Sequence, residues 1–102
     1  MIVVLTTVPN DEEGSVIAEK IVDAHLAACV QILPPMTSVY FWEGKVQKAS
    51  EHLLLIKTLE EKFAELEKFI RDNHSYDVPE IVALNADSIS EPYRRWLADY
   101  LQ

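Results

Sequence analysis

Ile2 to Val8 is an apolar, β-branched run closed by Pro9, Asn10 and Asp11, the pattern of a mostly buried strand leading into a helix start. Asn10 or Asp11 is placed to cap that helix. Ile17, Ile21, Ala24 and Ala28 follow at i, i+4, i+7 and i+11, which predicts one apolar stripe on a helix ending near His25 to Ala27. Gly14 in its first turns lowers the intrinsic helix propensity slightly. From Ala28 to Trp42 the pattern becomes β-like, with Cys29 to Ile32 before Pro34-Pro35 and Ser38 to Trp42 after it. Neither proline can donate to a ladder, so the pair belongs at an edge, a bend or a bulge. Glu43-Gly44 fits a two-residue hairpin turn with Gly44 at positive φ, and the return strand runs from Lys45 towards Thr58. Leu53 to Ile56 is apolar at every position and should be covered on both faces.

Thr58-Leu59-Glu60-Glu61 matches a capping box, predicting a second helix with Leu59, Phe63, Leu66 and Ile70 as its stripe. Asp72 to Ser75 ends that helix, and Glu80 to Ala86 reads as a fourth strand. Ser90 is the expected cap of a last short helix with Pro92 in its first turn and Tyr93, Trp96, Leu97 and Tyr100 on its apolar side.

The resulting order, β-α-β-β-α-β plus a C-terminal helix, is an α+β ferredoxin-like arrangement in one domain spanning residues 1–102. Right-handed crossovers put both main helices on one sheet face and leave the other bare. An apolar sheet face of several hundred Å² is unusual on a monomer, so the last helix, a partner subunit or both should cover it. The return strand, at ~3.3 Å per residue, spans about 45 Å, far beyond the usual strand. Tyr40, Phe41 and Trp42 cluster at its tip, where aromatic anchors suit an interface. Self-association is therefore expected; a bulge at Pro34-Pro35 that shortens the hairpin would instead leave a monomer.

Composition narrows the function. Hydrophobic residues make up 49% and charged residues 25% of the 102, ordinary for a folded globular chain. Nine Lys and Arg against seventeen Asp and Glu give a net charge of −8, which opposes binding to nucleic-acid phosphates. An acidic surface concentrates cations, though net charge first of all keeps a protein soluble. No apolar run approaches the ~20 residues a bilayer span needs, and Met1 to Val8 lacks a basic segment and a cleavage site, so no membrane association is expected. Cys29 is the single cysteine; it permits no internal disulfide and fits a cytoplasmic location.

The residues that could carry chemistry are few. His74, at the end of the second helix near Asp72, Asp77 and Glu80, could complement the helix dipole or bind a metal ion. Cys29 could be a small buried hydrophobe or a thiolate ligand, while His25 and His52 read as structural. Lys57 closes an apolar run and should meet a carboxylate or an anionic ligand; Glu80 poses the same question with opposite sign. A cleft between subunits lined by Trp42, Lys57, Tyr76 and Glu80 is the candidate small-ligand site. Only Gly14 and Gly44 are present, so no glycine-rich phosphate cradle exists. Thr6 to Glu13 has no arginine, against an acylphosphatase loop, and Thr6-Thr7-Val8-Pro9 is no Cys-x-x-Cys of a copper chaperone. No catalytic residue is identified, and an enzyme is not expected.

Leu26-Ala27-Ala28-Cys29-Val30, Ser38-Val39-Tyr40-Phe41-Trp42-Glu43-Gly44-Lys45, Lys57-Thr58, His74-Ser75-Tyr76-Asp77-Val78-Pro79-Glu80-Ile81 and Tyr93-Arg94-Arg95-Trp96-Leu97, in this order and spacing, resemble the CutA family of divalent-cation tolerance proteins along nearly the whole chain. The resemblance implies a cytoplasmic homotrimer built like the PII signalling trimers and a link to divalent metals, notably copper. No cofactor is required on this reading; Cu(II) or another divalent cation is the candidate ligand, with His74 and Cys29 as candidate metal residues. The alternative it leaves is a PII-like signalling or scaffold module that binds a small molecule or protein between subunits. In some family members copper is assigned to a first-strand cysteine and a His-His pair after the second helix. Those positions here hold Thr6, Asn73 and His74, poor replacements apart from the histidine.

Overall fold

A computed structural model describes all 102 residues. The elements run β1 (Ile2–Val8), α1 (Asp11–Asp23), β2 (Cys29–Ile32), β3 (Met36–Trp42), β4 (Lys45–Thr58), α2 (Phe63–Asn73), β5 (Val82–Asn85) and α3 (Glu91–Leu101). The sheet has the order β2-β4-β1-β5, with β3 also paired to β4, and every pairing is antiparallel. This is the expected α+β arrangement, with the expected second strand divided in two.

The division has a local cause. Ile32 pairs with Leu54 and Met36 with Glu51, so Leu33, Pro34 and Pro35 stand opposite only His52 and Leu53. That extra residue is a bulge in the edge segment between β2 and β3, where proline's missing N–H costs no ladder bond. The Leu33 N–H still bonds the Leu53 carbonyl, and a His52 ring nitrogen lies 2.8 Å from the Leu33 carbonyl. The bulge does not shorten the hairpin: β4 continues through 14 residues and β3 stays paired as far as Trp42 and Lys45. The longest dimension of the molecule, 45 Å, reflects it. At the tip both Glu43 (φ 50°) and Gly44 (φ 81°) are left-handed, the requirement of the two-residue turn that matches strand twist.

One side of the sheet is the core. Ile2, Val4 and Val8 of β1 and Leu54 and Ile56 of β4 pack against Ile17 and Ile21 of α1 and Leu66 and Ile70 of α2, so both helices lie on one face. Asn10 caps α1, its Oδ1 accepting from the Glu13 N–H at 2.8 Å. The helix ends at Asp23, earlier than the stripe suggested, and His25 takes φ 58° beyond it. Ala28 therefore leaves the α1 stripe and packs with Leu97 and Leu101 of α3.

Two expected caps do not form. Thr58 is still strand, and its buried hydroxyl donates to the Leu26 carbonyl at 2.7 Å; a 3₁₀ turn over Glu60–Lys62 opens α2 with no side-chain cap. Thr58 stays in β4 with its side chain turned into the core towards Leu26, and the turn begins one residue later, after Leu59. Leu59 correspondingly joins the α3 cluster. Ser90 precedes α3 with no side-chain cap bond. β5 is shorter than Glu80 to Ala86, because Ile81 turns into the main core.

Candidate functional site

The segment after α2 is tied to three other elements by polar side chains. His74 caps the helix with extended backbone (φ −90°, ψ 146°) and its side chain is fully buried. Its Nε2 lies 2.7 Å from the carbonyl oxygen of Thr7 on β1, and its Nδ1 lies 3.0 Å from the Tyr76 backbone N–H. A carbonyl can only accept and an amide N–H can only donate, so Nε2 carries the proton and Nδ1 the lone pair. Glu13 of α1 accepts from both the N–H (3.1 Å) and the hydroxyl (3.0 Å) of Ser75. Its Oε2 is also 3.6 Å from His74 Nδ1, too far for a hydrogen bond.

Tyr76 carries the chain of contacts on to β4. Its ring tilts against His74 with centroids 4.7 Å apart, and its hydroxyl donates to Glu51 Oε2 at 2.8 Å. Glu51 is only 8% exposed. Burial, and then the hydrogen bond and negative charge of Glu51, push the Tyr76 phenol well above its ordinary value, because each disfavours a phenolate.

The second sheet face is not covered by this chain. Its residues follow from the pairing: Val3, Leu5 and Thr7 of β1, Leu53, Leu55 and Lys57 of β4, and Val82 and Leu84 of β5. Val3, Leu5, Leu53 and Leu55 are half-buried, while Val82 and Leu84 are 46% and 51% exposed. α3 docks at the sheet's end instead, on Ala28, Met1 and Leu59, with Tyr100 donating its hydroxyl to the Val22 carbonyl and stacking on His25 at 4.2 Å. Of the covers expected for this face, the last helix reaches it only at Lys57, through Tyr93, and leaves Val82 and Leu84 exposed. The hairpin beyond Glu51 is bare on both sides, with Val39, Phe41 and Val46 exposed on one and Tyr40 and Trp42 on the other.

The sequence-based candidates do not converge within the chain. Cys29 is half-buried and pairs across strands with Lys57, at the Val3 end of the sheet. His74 is held at the Thr7 end, roughly 13 Å away at the rise of a strand. The two do not form a metal pair, and no group of three or more His, Cys, Asp or Glu side chains is placed to hold a metal ion. The other two family metal positions fit no better. Thr6 is fully buried with its hydroxyl unpartnered inside the chain, and Asn73 donates its amide to the Phe69 carbonyl. A neutral hydroxyl, an engaged amide and a histidine with both nitrogens bonded do not suit Cu(II).

Within one chain the residues expected to line a cleft between subunits stand apart. Trp42 pairs with Lys45 at the hairpin tip, about 40 Å along β4 from Lys57, Tyr76 is bonded to Glu51, and Glu80 is exposed. Lys57 meets no carboxylate; its Nζ lies 5.5 Å from the centroid of the Tyr93 ring, a cation–π contact. Sequence reasoning missed Glu13, Ser75 and Glu51 altogether. A Glu at the first turn of α1 looks like an ordinary dipole-complementing residue, and only tertiary packing carries it to Ser75.

Comparison with known proteins agrees with this fold. The family model described as CutA1 divalent ion tolerance protein matches residues 2–100. The chain is 51% identical over 96 residues to Protein CutA, chloroplastic, of Arabidopsis thaliana, covering 94% of this chain and 53% of that one. It is 44% identical over 97 residues to the divalent-cation tolerance protein CutA of Thermus thermophilus, covering 95% and 94%. The crystal structure of CutA1 from Oryza sativa superposes with a TM-score of 0.96 at 46% identity, covering 99% and 93%. The chain thus spans about half the length of the plant relative and nearly all of the bacterial one. A chloroplastic relative means that membership does not by itself fix a cytoplasmic location. No helix is long and apolar enough to cross a membrane.

Proposed function

The chain belongs to the CutA1 divalent ion tolerance family, and from that premise we propose that it acts as a self-associating, non-catalytic tolerance protein whose working form is a cytoplasmic homotrimer. The observation that carries this reading is the uncovered face of Val3, Leu5, Leu53, Leu55, Val82 and Leu84, continuous with a hairpin bare on both sides. Apolar surface on this scale is stabilised by burial at roughly 25 cal/mol per Å². Two faces of one ribbon call for neighbours on both, which a closed ring supplies and a single contact does not. Sedimentation equilibrium in dilute solution should give a mass about three times 11.6 kDa. A folded particle of 11.6 kDa would end the proposal.

A second reading, a PII-like module binding a small ligand between copies, draws on Lys57. That cation lies on the open face without a carboxylate partner, and covering it unpaired would be costly. A small organic anion seated there would raise the thermal midpoint, by an amount growing with the logarithm of its concentration above Kd. A flat response to a panel of carboxylates and nucleotides, unaltered in Lys57→Ala, would remove this reading.

A further inference from the structure

We infer that His74 is a positioning residue in this chain rather than a metal ligand: its ring, fixed as the Nε2–H tautomer between Thr7 and Tyr76, sets where the Tyr76 hydroxyl meets Glu51. Both nitrogens are committed at 2.7 and 3.0 Å inside a fully buried side chain. A cation at Nδ1 would have to displace the Tyr76 N–H. One at Nε2 would have to take a proton's place and leave the Thr7 carbonyl without its histidine donor, and either exchange leaves a polar group short of its partner in the interior.

The same bonds explain what the ring accomplishes. Glu51 is a nearly buried carboxylate that forms no ion pair, and the Tyr76 hydroxyl is its hydrogen-bond donor. It stands at the root of the hairpin, where β4 leaves β1, the last β1 pair being Val8 with His52. An anion in that position needs a donor from outside its own strand. The loop supplies Tyr76, and the loop is pinned by His74 to β1 and by Ser75 to Glu13 of α1. His74 thus acts on Glu51 through Tyr76, two residues away.

Three measurements on the full-length protein test this. Long-range ¹H–¹⁵N correlation spectra should show His74 as the neutral Nε2–H tautomer. Ultraviolet titration should find Tyr76 ionising well above free tyrosine in the wild type and in His74→Asn, whose Oδ1 can still accept from the Tyr76 N–H, and near the free value in His74→Phe. Cu(II) added alone should show, by electron paramagnetic resonance, no nitrogen coordination that His74→Asn abolishes. An Nδ1–H tautomer, an ordinary Tyr76 titration in the wild type, or a copper signal lost in His74→Asn would each overturn the inference. Should His74→Phe fail to fold, the wild-type and His74→Asn spectra decide. None of these readouts depends on particle mass, so a monomeric protein would sink the assembly proposal and leave this one standing.

Discussion

The hydroxyl of Tyr76 donates to Oε2 of Glu51 across 2.8 Å, joining the loop after α2 to the strand that forms the hairpin. Hydrogen bonds to ionised partners contribute about 1.5–3 kcal/mol in such partly buried settings. Tyr76→Phe should therefore lower unfolding stability by roughly 2 kcal/mol, read from denaturant curves with unchanged slope. A loss indistinguishable from zero would show that water serves Glu51 equally well.

The same contact predicts an alkaline limit. Burial and Glu51 raise the folded-state value of the Tyr76 phenol. The stability tied to the neutral phenol is thus complete below the unfolded tyrosine value of about 10 and is lost as pH climbs from there towards the folded value. Thermal midpoints of the wild type should fall more steeply above pH ~10 than those of Tyr76→Phe. Parallel curves for the two proteins would refute the linkage.

Two buried threonines on adjacent strands should respond to valine with opposite signs. Thr58 gives its hydroxyl to the Leu26 carbonyl at 2.7 Å, and Thr58→Val strands that oxygen at a cost of about 1–3 kcal/mol. Thr6 Oγ1 has no partner within the chain, so Thr6→Val exchanges an unsatisfied hydroxyl for a methyl and should stabilise by about 1 kcal/mol. Calorimetric midpoints that move the same way in both variants would show the Thr6 hydroxyl to be satisfied.

Gly14 is where helix propensity and packing disagree. Alanine favours a helix interior by about 1 kcal/mol over glycine, yet a Cβ here would lie 3.1 Å from Val8 Cγ2. Val8 is completely buried between α1 and the sheet and has little room to yield, and overpacking typically costs about 1–3 kcal/mol. Gly14→Ala is expected to be net destabilising by equilibrium unfolding; a gain would mean that α1 shifts freely on the sheet.

Leu84 tests the open face without touching the core. It is 51% exposed on β5, so Leu84→Lys should leave secondary structure intact while lowering the sedimentation mass at equal concentration, since an unpaired charge resists burial. An unchanged mass would place the contact between copies elsewhere.

Much of this architecture was legible in the order of residues because it is local chemistry. The Asn10 cap, the Glu43-Gly44 turn, the full span of β4, and the Leu66 and Ile70 stripe follow from side-chain period and turn preference within a few residues. Sequence and structure differed where distant packing set the direction of a side chain. Thr58 matched a capping box, but the Leu26 carbonyl claims its hydroxyl. Of the two partners expected for Lys57, no carboxylate of this chain meets it and Tyr93 of the last helix lies 5.5 Å away; an anionic ligand is the partner that the second reading above proposes.

The sequence alone determined the family, the strand and helix order, and the surplus of apolar surface on one sheet face, since each depends on residue type and spacing. The tertiary structure alone decided that α3 docks at one end of the sheet, leaving most of that face open, and that Cys29 and His74 stand at opposite ends of the sheet. It also decided that both His74 nitrogens are spent on Thr7 and Tyr76. Hydrogen-bond partners 67 residues apart along the chain meet because of how strands and helices stack, and no local pattern encodes that distance.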